Sequence, residues 1–364
     1  MVPRAGNAEI KTREEKMKKV QRKSNVLVAT FLMLASVFSS TLSFAAEKVR
    51  IGHWSWPGYG FFYVAEEKGL IPEGIEFEFT IIEDPVQLFS LQATGQLDVV
   101  LSTIEYGPIA AAQNMPIKLA GLTNLGYGSD HIILREDIKS ASDLIGEKVA
   151  IFEGGLSQIY MGIWLEENGV KWDQVEMVNL IAGDAAAAMI SGQVAGAELW
   201  DPFGAQVLAE LPGSHEVSNS KDPALLKLAL IADAIFVSDE FTSERNSAAV
   251  KTMQAMFAGA EYWRKNATEA NEIIARRTGF SIEDVQGILG GENNPDDGTM
   301  YMYSIQEAAR FCGVLPGNPP FGQSNGQLAD HFKLTNDWWI KFGFMEKTVD
   351  PSDGIDCSLL KAAL

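Results

Sequence analysis

Cysteine and histidine are nearly absent from this chain: two cysteines and four histidines in 364 residues. His53, His131, His215 and His331 stand singly, with none of the short spacings that bring imidazoles onto one metal ion. Cys312 and Cys357 both lie near the C-terminus, so no earlier thiol can act as nucleophile or ligand. There is no G-x-S-x-G turn, no phosphate-binding loop and no G-x-G-x-x-G after a strand. These absences speak against the common hydrolase, phosphate-loop and dinucleotide chemistries, and no catalytic residue, metal or cofactor is expected. Positive charge is also scarce, with 29 Lys and Arg against 48 Asp and Glu and a net charge of -19. Such a surface repels nucleic acid and anionic lipid.

The cationic residues that exist are concentrated at the start. Lys18, Lys19, Arg22 and Lys23 precede an apolar run from Val26 to Phe38, and Ser43-Phe44-Ala45 offers a small-residue cleavage site, the layout of a secretory signal peptide over residues 1-45. The apolar run falls short of the roughly 20 residues a spanning helix needs. Met17 directly before the basic cluster leaves two readings of residues 1-16, an over-called start or a long n-region. Residues 1-45 hold eight Lys/Arg and three Asp/Glu, so cleavage near Ala45 takes the net charge from -19 to -24. An exported chain meets oxidising conditions, and Cys312 and Cys357 are open to two readings, one disulfide tying down the tail or two buried thiols.

What the chain has in abundance is an alternation of apolar β-rich and helical segments, and it has it twice. The first copy runs helix (FFYVAEEKGL, from Phe61), strand (IEFEFTII), helix (PVQLFSLQATGQ), strand (LDVVLST, to Thr103). The second runs helix (LSQIYMGIWLEENGV, from Leu156), strand (VEMVNLI), helix (DAAAAMISGQ), strand (VAGAELW, to Trp200). Glu66-Glu67-Lys68-Gly69 is answered by Glu166-Glu167-Asn168-Gly169, and Gly95-Gln96 by Gly192-Gln193. The pattern predicts an α/β protein of two lobes, each built of βαβ units on a parallel sheet, with ligands bound at the carboxyl ends of the strands. Lys48 to His53 reads as the first strand, Pro116 to Leu122 and His131 to Leu134 as later ones, and Leu228 to Val237 as a long β run returning to the first lobe. The two crossings fall near Tyr127 to Leu134 and near Ile231 to Val237, which gives lobe I residues 46-128 and 236-364 and lobe II residues 129-235. From Ser243 the pattern turns helical, with Thr268 and Ser281 as N-caps and Gly279 as a stop. These helices are expected to cover lobe I, and Trp338 and Trp339 to pack down a last long helix.

Four motifs appear in a fixed order: W-P-G-Y-G-F-F-Y-V-A-E-E-K-G-L from Trp56, G-Q-L-D-V-V from Gly95, S-D-L-I-G-E-K-V-A from Ser142 and A-G-A-E-L-W-D-P-F from Ala195. Together they resemble the periplasmic substrate-binding proteins of ABC importers for nitrate, sulfonates, taurine and thiamine-pyrimidine precursors. The resemblance implies a type II binding-protein fold of two lobes joined by two hinge strands. It also implies a periplasmic monomer that closes on a small-molecule ligand and docks on an inner-membrane permease with its ATPase. Relatives that make thiamine pyrimidine use a cysteine-rich segment that this chain lacks.

The resemblance places the cleft at the loop after the first strand, the loops after the two G-Q strands, the first hinge and the glycine turn before Leu156. The residues at these places are Trp54, Trp56, Tyr59 and Phe61; Thr103, Glu105 and Tyr106; Tyr127, Ser129 and Asp130; Gly155, Leu156 and Ser157; and Glu198, Trp200 and Asp201. The ligand contacts expected among them are Trp54, Trp56, Tyr59, Phe61, Glu105, Tyr106, Tyr127, Asp130, Ser157 and Trp200. The set is aromatic and acidic, without lysine or arginine. Aromatic faces attract cations by roughly 0.5 to 2 kcal/mol each, so a solute with a cationic or amino nitrogen is expected: a quaternary amine, a guanidine, an amino-pyrimidine or an aminosulfonate such as taurine. Ser157 at a helix start offers a competing anion site through free backbone N-H groups. An enzyme on the same fold and a ligand-sensing domain that serves a receptor are the alternatives.

Overall fold

A computed structural model describes residues 16-17, 46-291 and 297-364. The signal-peptide reading of residues 1-45 lies almost wholly outside the described residues. Both copies of the repeat form helix, strand, helix, strand as their patterns require. The matching glycines have one physical cause: Gly69, Gly95, Gly169 and Gly192 all take positive φ, between 64° and 77°, where they reverse the chain after a helix. A residue with a Cβ would be strained there. Asp84 accepts the Val86 N-H and Pro85 holds the first helical position, so the helix Pro85–Ala93 starts where its sequence says.

The strands form two sheets of matching order. In the first, β1 (Glu47–His53) lies between β2 (Ile75–Ile81) and β3 (Val99–Thr103), all parallel; β10 (Ala232–Ser238) follows β3 antiparallel, then β4 (Ile117–Gly126) and β11 (Met300–Met302). In the second, β6 (Lys148–Ile151) lies between β7 (Glu176–Asn179) and β8 (Gly196–Trp200), again parallel; β5 (Asp130–Leu134) follows β8 antiparallel, then β9 (His215–Asn219). Each sheet is therefore mixed rather than parallel. The antiparallel member next to the repeat is in each case the first strand after the chain has crossed from the other sheet.

Two boundaries differ from the sequence reading. Leu228 to Val237 is not one strand: Asp222 and Pro223 start a helix that runs to Leu228, and Ala229 leaves it at φ 51°. The helix after Asn266 starts at Ala267, so Thr268 lies inside it and does not cap it; Ser281 does cap, accepting the Asp284 N-H, and Gly279 ends the preceding helix at φ 84°. The helix Asn246–Lys265 packs on Phe61–Glu67 and covers the first sheet. The helix Leu328–Lys341 joins the two halves, because Trp338 and Trp339 share a core cluster with Ile132, Ile159 and Trp164 while Trp339 donates its indole N-H to the Glu105 carbonyl at 2.8 Å.

Cys312 and Cys357 form a disulfide across 45 residues, so the first of their two readings holds. A loop of that length is worth roughly 3 to 4 kcal/mol in the chain-entropy treatment. Reduction is expected to lower the melting temperature measurably, and a scan with and without reductant checks it.

Candidate functional site

The carboxyl ends of the strands in both sheets converge on a cavity of about 390 Å³. One side comes from Trp54, Ser55 and Trp56 after β1, Thr103 and Tyr106 after β3, and Ile231 to Asp233 leading into β10. The other comes from Phe152 and Gly155 to Ser157 after β6, Leu180 to Gly183 after β7, and Glu198 and Trp200 on β8. Gly126, Ser129 and Asp130 lie where the chain crosses.

The aromatic wall is built by contact among its own rings. Trp200 meets Trp54 at 5.5 Å and Trp56 at 5.6 Å, centroid to centroid, and Phe203 stands behind it at 4.9 Å. Gly58 makes room for this, since a Cβ there would lie 2.4 Å from the Trp56 indole nitrogen.

Four carboxyl groups line the same space: the exposed Glu83, which accepts the Ser55 hydroxyl at 2.6 Å, and the buried Asp130, Glu198 and Asp233. Asp130 opposes Trp200 across the β5-β8 ladder, and Glu198 opposes Ile132. With a side-chain period of two, Glu198 and Trp200 point the same way and Asp130 is the diagonal neighbour of Glu198. Asp233 opposes Thr103 and receives the Tyr59 hydroxyl at 2.6 Å; Asp130 receives the Ser129 hydroxyl at 2.5 Å. Burial pushes Glu198 up to about 8, with the Asp130 charge adding to it. Burial likewise pushes Asp233 up to about 7, against the Tyr59 hydrogen bond, and Asp130 up to about 6. Among the described residues no lysine or arginine lines the cavity. The nearest cation is His131, which burial would discharge but Asp201 at 3.0 Å and Glu216 at 2.5 Å push up to about 9; its charge is spent between those two.

Of the ten ligand contacts expected from sequence, the cavity wall contains Trp54, Trp56, Tyr106, Asp130, Ser157 and Trp200. The other four lie elsewhere. Phe61 is fully buried in the core, its ring 5.5 Å from that of Trp263. Tyr59 is equally buried and stands behind Asp233. Glu105 is buried and accepts the Thr103 hydroxyl at 2.7 Å, and burial pushes it up to about 8. Tyr127 packs outward on Phe321 with the Lys221 ammonium 4.4 Å above its ring. Each of the four is taken by a partner inside the protein: the Trp263 ring, Asp233, Thr103 and the Phe321 ring in turn for Phe61, Tyr59, Glu105 and Tyr127. His53 also stays in the wall's support, its Nδ1-H donated to the Trp54 carbonyl at 2.7 Å and its Nε2 accepting the Tyr63 hydroxyl at 2.6 Å.

The glycine turn before Leu156 is largely occupied by the protein. Ser157 Oγ accepts the Phe152 N-H at 3.1 Å and Gln158 Oε1 accepts the Gly154 N-H at 2.9 Å. Asp201 likewise serves structure, its Oδ1 shared between His131 and the Ala205 N-H.

Tyr59 donates to Asp233 and partly offsets the burial that raises it. Tyr59→Phe is expected to weaken solute binding roughly tenfold to a hundredfold, the loss of one hydrogen bond to a charged group, with the far-ultraviolet circular dichroism unchanged; equal affinity would relegate Tyr59 to packing.

Comparison with known proteins places these features in context. The NMT1/THI5-like family matches residues 56–270. A Brucella abortus protein whose name gives it only as a binding protein is 28% identical over 332 residues, covering 89% of this chain and 96% of that one. The taurine-binding periplasmic protein of Escherichia coli is 25% identical over 230 residues, 62% of this chain and 69% of its own. The crystal structure of the periplasmic aliphatic sulphonate binding protein of Escherichia coli superposes with a TM-score of 0.66 at 17% identity, covering 86% of this chain and 92% of that one.

Proposed function

The chain belongs to the NMT1/THI5-like family and is a substrate-binding protein of the ABC-importer class, and on that premise we propose that its solute is a small organic molecule bearing a cationic nitrogen. One observation carries this reading: three buried carboxyl groups and three tryptophans share a cavity that, among the described residues, no lysine or arginine lines. Buried carboxylates without a countercharge are costly, even where hydroxyls donate to them. A positive nitrogen supplies the missing charge, and the indole faces add attraction of roughly 0.5 to 2 kcal/mol each. The helix start at Leu156 favours an anion less, because the Leu156 N-H is directed at the Glu105 carboxyl and the Gln158 N-H bonds the Gly155 carbonyl.

The mechanism follows from the two sheets. Residues 46-128 form one lobe together with the chain from Ala232 on, since β10 begins there in the first sheet rather than at the expected 236; residues 129-231 form the other, and the crossings beside Asp130 and Asp233 are the hinges. A solute that touches both sides stabilises the closed state by its differential affinity for it. The closed protein then delivers the solute to an inner-membrane permease and its ATPase, working as a monomer exported through the leader that ends near Ala45. Six of the expected contacts (Trp54, Trp56, Tyr106, Asp130, Ser157 and Trp200) are the wall contacts, joined by Glu198, also named at the cleft from sequence, and by Asp233, which was not.

Thermal-shift measurement against amines, guanidines, amino-pyrimidines, sulfonates and nitrate tests the reading. Organic cations are expected to stabilise the protein; stabilisation by sulfonates or nitrate alone would overturn it. Trp54→Ala is expected to weaken the effective cation roughly tenfold without changing the fold, and unchanged affinity would assign Trp54 to packing.

A further inference from the structure

Resting on the reading that the solute carries a cationic nitrogen, we propose that the cavity selects cations with N-H groups, namely amines, amidines or guanidines on an apolar body, and rejects quaternary ammonium ions. A carboxylate offers about four lone-pair positions. Tyr59 fills one on Asp233, with Trp56 and Asn124 beside it; Ser129 fills one on Asp130, with Ser220 beside it; and Ser157 stands beside Glu198. All three residues line the cavity, and the positions left open there call for donors. A quaternary nitrogen carries the charge but no N-H, so it would strip water from these oxygens and give nothing back.

The aromatic wall supports the same choice. Recognition of a quaternary ammonium through aromatic faces requires rings that stand around an opening. Here the rings close on one another: Trp54 and Trp56 lie 6.3 Å apart and inclined by 29°, Trp54 and Trp200 meet at 56°, and Trp56 and Trp200 at 84°. They form one continuous surface against which a flat or chain-like body can lie. Phe152, Leu180, Ile181 and Phe280 continue the apolar lining, which fits a hydrocarbon body attached to the charged end. Of the other charged groups nearby, His131 is held by Asp201 and Glu216, Glu105 is held by Thr103 outside the wall, and Glu83 lines the cavity as an exposed acid that accepts the Ser55 hydroxyl.

Matched compounds separate the possibilities. Calorimetric titration would compare phenethylamine with N,N,N-trimethylphenethylammonium, with 2-phenylethanol as the uncharged control and ethanesulfonate as the anionic one. Phenethylamine is expected to bind at least about tenfold more tightly than its trimethyl derivative, the effect of one charge-assisted hydrogen bond. Asp233→Asn is expected to erase that advantage while leaving the alcohol unchanged; should this variant fail to fold, Glu198→Gln serves in its place. Equal or tighter binding of the trimethyl compound overturns the selection while leaving the cation reading intact. Binding of ethanesulfonate without either cation overturns the cation reading itself. No binding by any member of the set, repeated with benzamidine and agmatine, overturns both.

Discussion

Glu198→Gln is expected to raise the melting temperature near pH 8, because burial holds this acid up to about 8 in the folded chain. In the unfolded chain a glutamate ionises near pH 4.3. The folded state therefore binds the proton more tightly, and linkage makes stability fall as pH rises between those two values. Asp233, pushed up to about 7, and Asp130, pushed up to about 6, act in the same sense over their narrower windows. His131 adds to the slope: its folded value of about 9 lies above the unfolded one, so its contribution is complete below the unfolded value and lost as pH rises through about 9. Asp98 opposes them at the acid end, since Arg50 and Arg245 hold it low despite its burial and its stabilisation is lost as pH falls. Removing Glu198 flattens the neutral part of this curve. At about 1.4 kcal/mol per pKa unit the ceiling is several kcal/mol, and relaxation of the site leaves roughly 1 to 3 kcal/mol, or a few degrees in a chain of this size. Thermal scans of both proteins from pH 5 to about 8.5 measure it; a variant less stable than its parent across that range would refute the strained-acid description of the cavity. Cation binding should also release protons, so the calorimetric enthalpy should vary with the ionisation enthalpy of the buffer.

Asp233→Asn should produce the largest loss of binding of any single substitution in the cavity. Asp233 couples to the Tyr59 hydroxyl behind it and faces the solute in front. Truncating one partner of a buried charge pair costs about 2 to 5 kcal/mol, so affinity for the stabilising cation should fall roughly 30-fold to several thousandfold. The variant should gain thermal stability at the same time, by the argument made for Glu198. Loss of binding with a raised melting temperature separates a role in recognition from one in folding. A variant that binds normally would remove Asp233 from the site.

Much of the architecture was legible because it rests on local rules. The doubled helix-strand-helix-strand order, the glycines that reverse the chain at Gly69, Gly95, Gly169 and Gly192, and the cap at Ser281 all follow from backbone preferences of single residues. The antiparallel placement of β5 and β10 did not follow, since nothing in the apolar run Ala232 to Ser238 tells which neighbour it will pair with. The site was legible at the level of loops rather than side chains. Trp54 and Trp200 lie at strand ends, where the motif fixes which way they point. Tyr59 and Phe61 lie in successive helical turns, and one turn of helix carries a side chain from the cavity into the core. Asp233 was missed although it carried a signal: a lone acid inside Leu228 to Val237, an otherwise apolar run, must be paired, protonated or functional. Weighing that residue against its buried neighbours would have placed it beside Asp130.

The recognition of a positive nitrogen can be tested without choosing a ligand in advance. The protein would be purified undenatured from cells that export it, then unfolded, and the released small molecule identified by mass spectrometry with the amount compared to protein. An organic amine, amidine or guanidine at close to one per chain is the expected result. A sulfonate, nitrate or other anion in that proportion would contradict it.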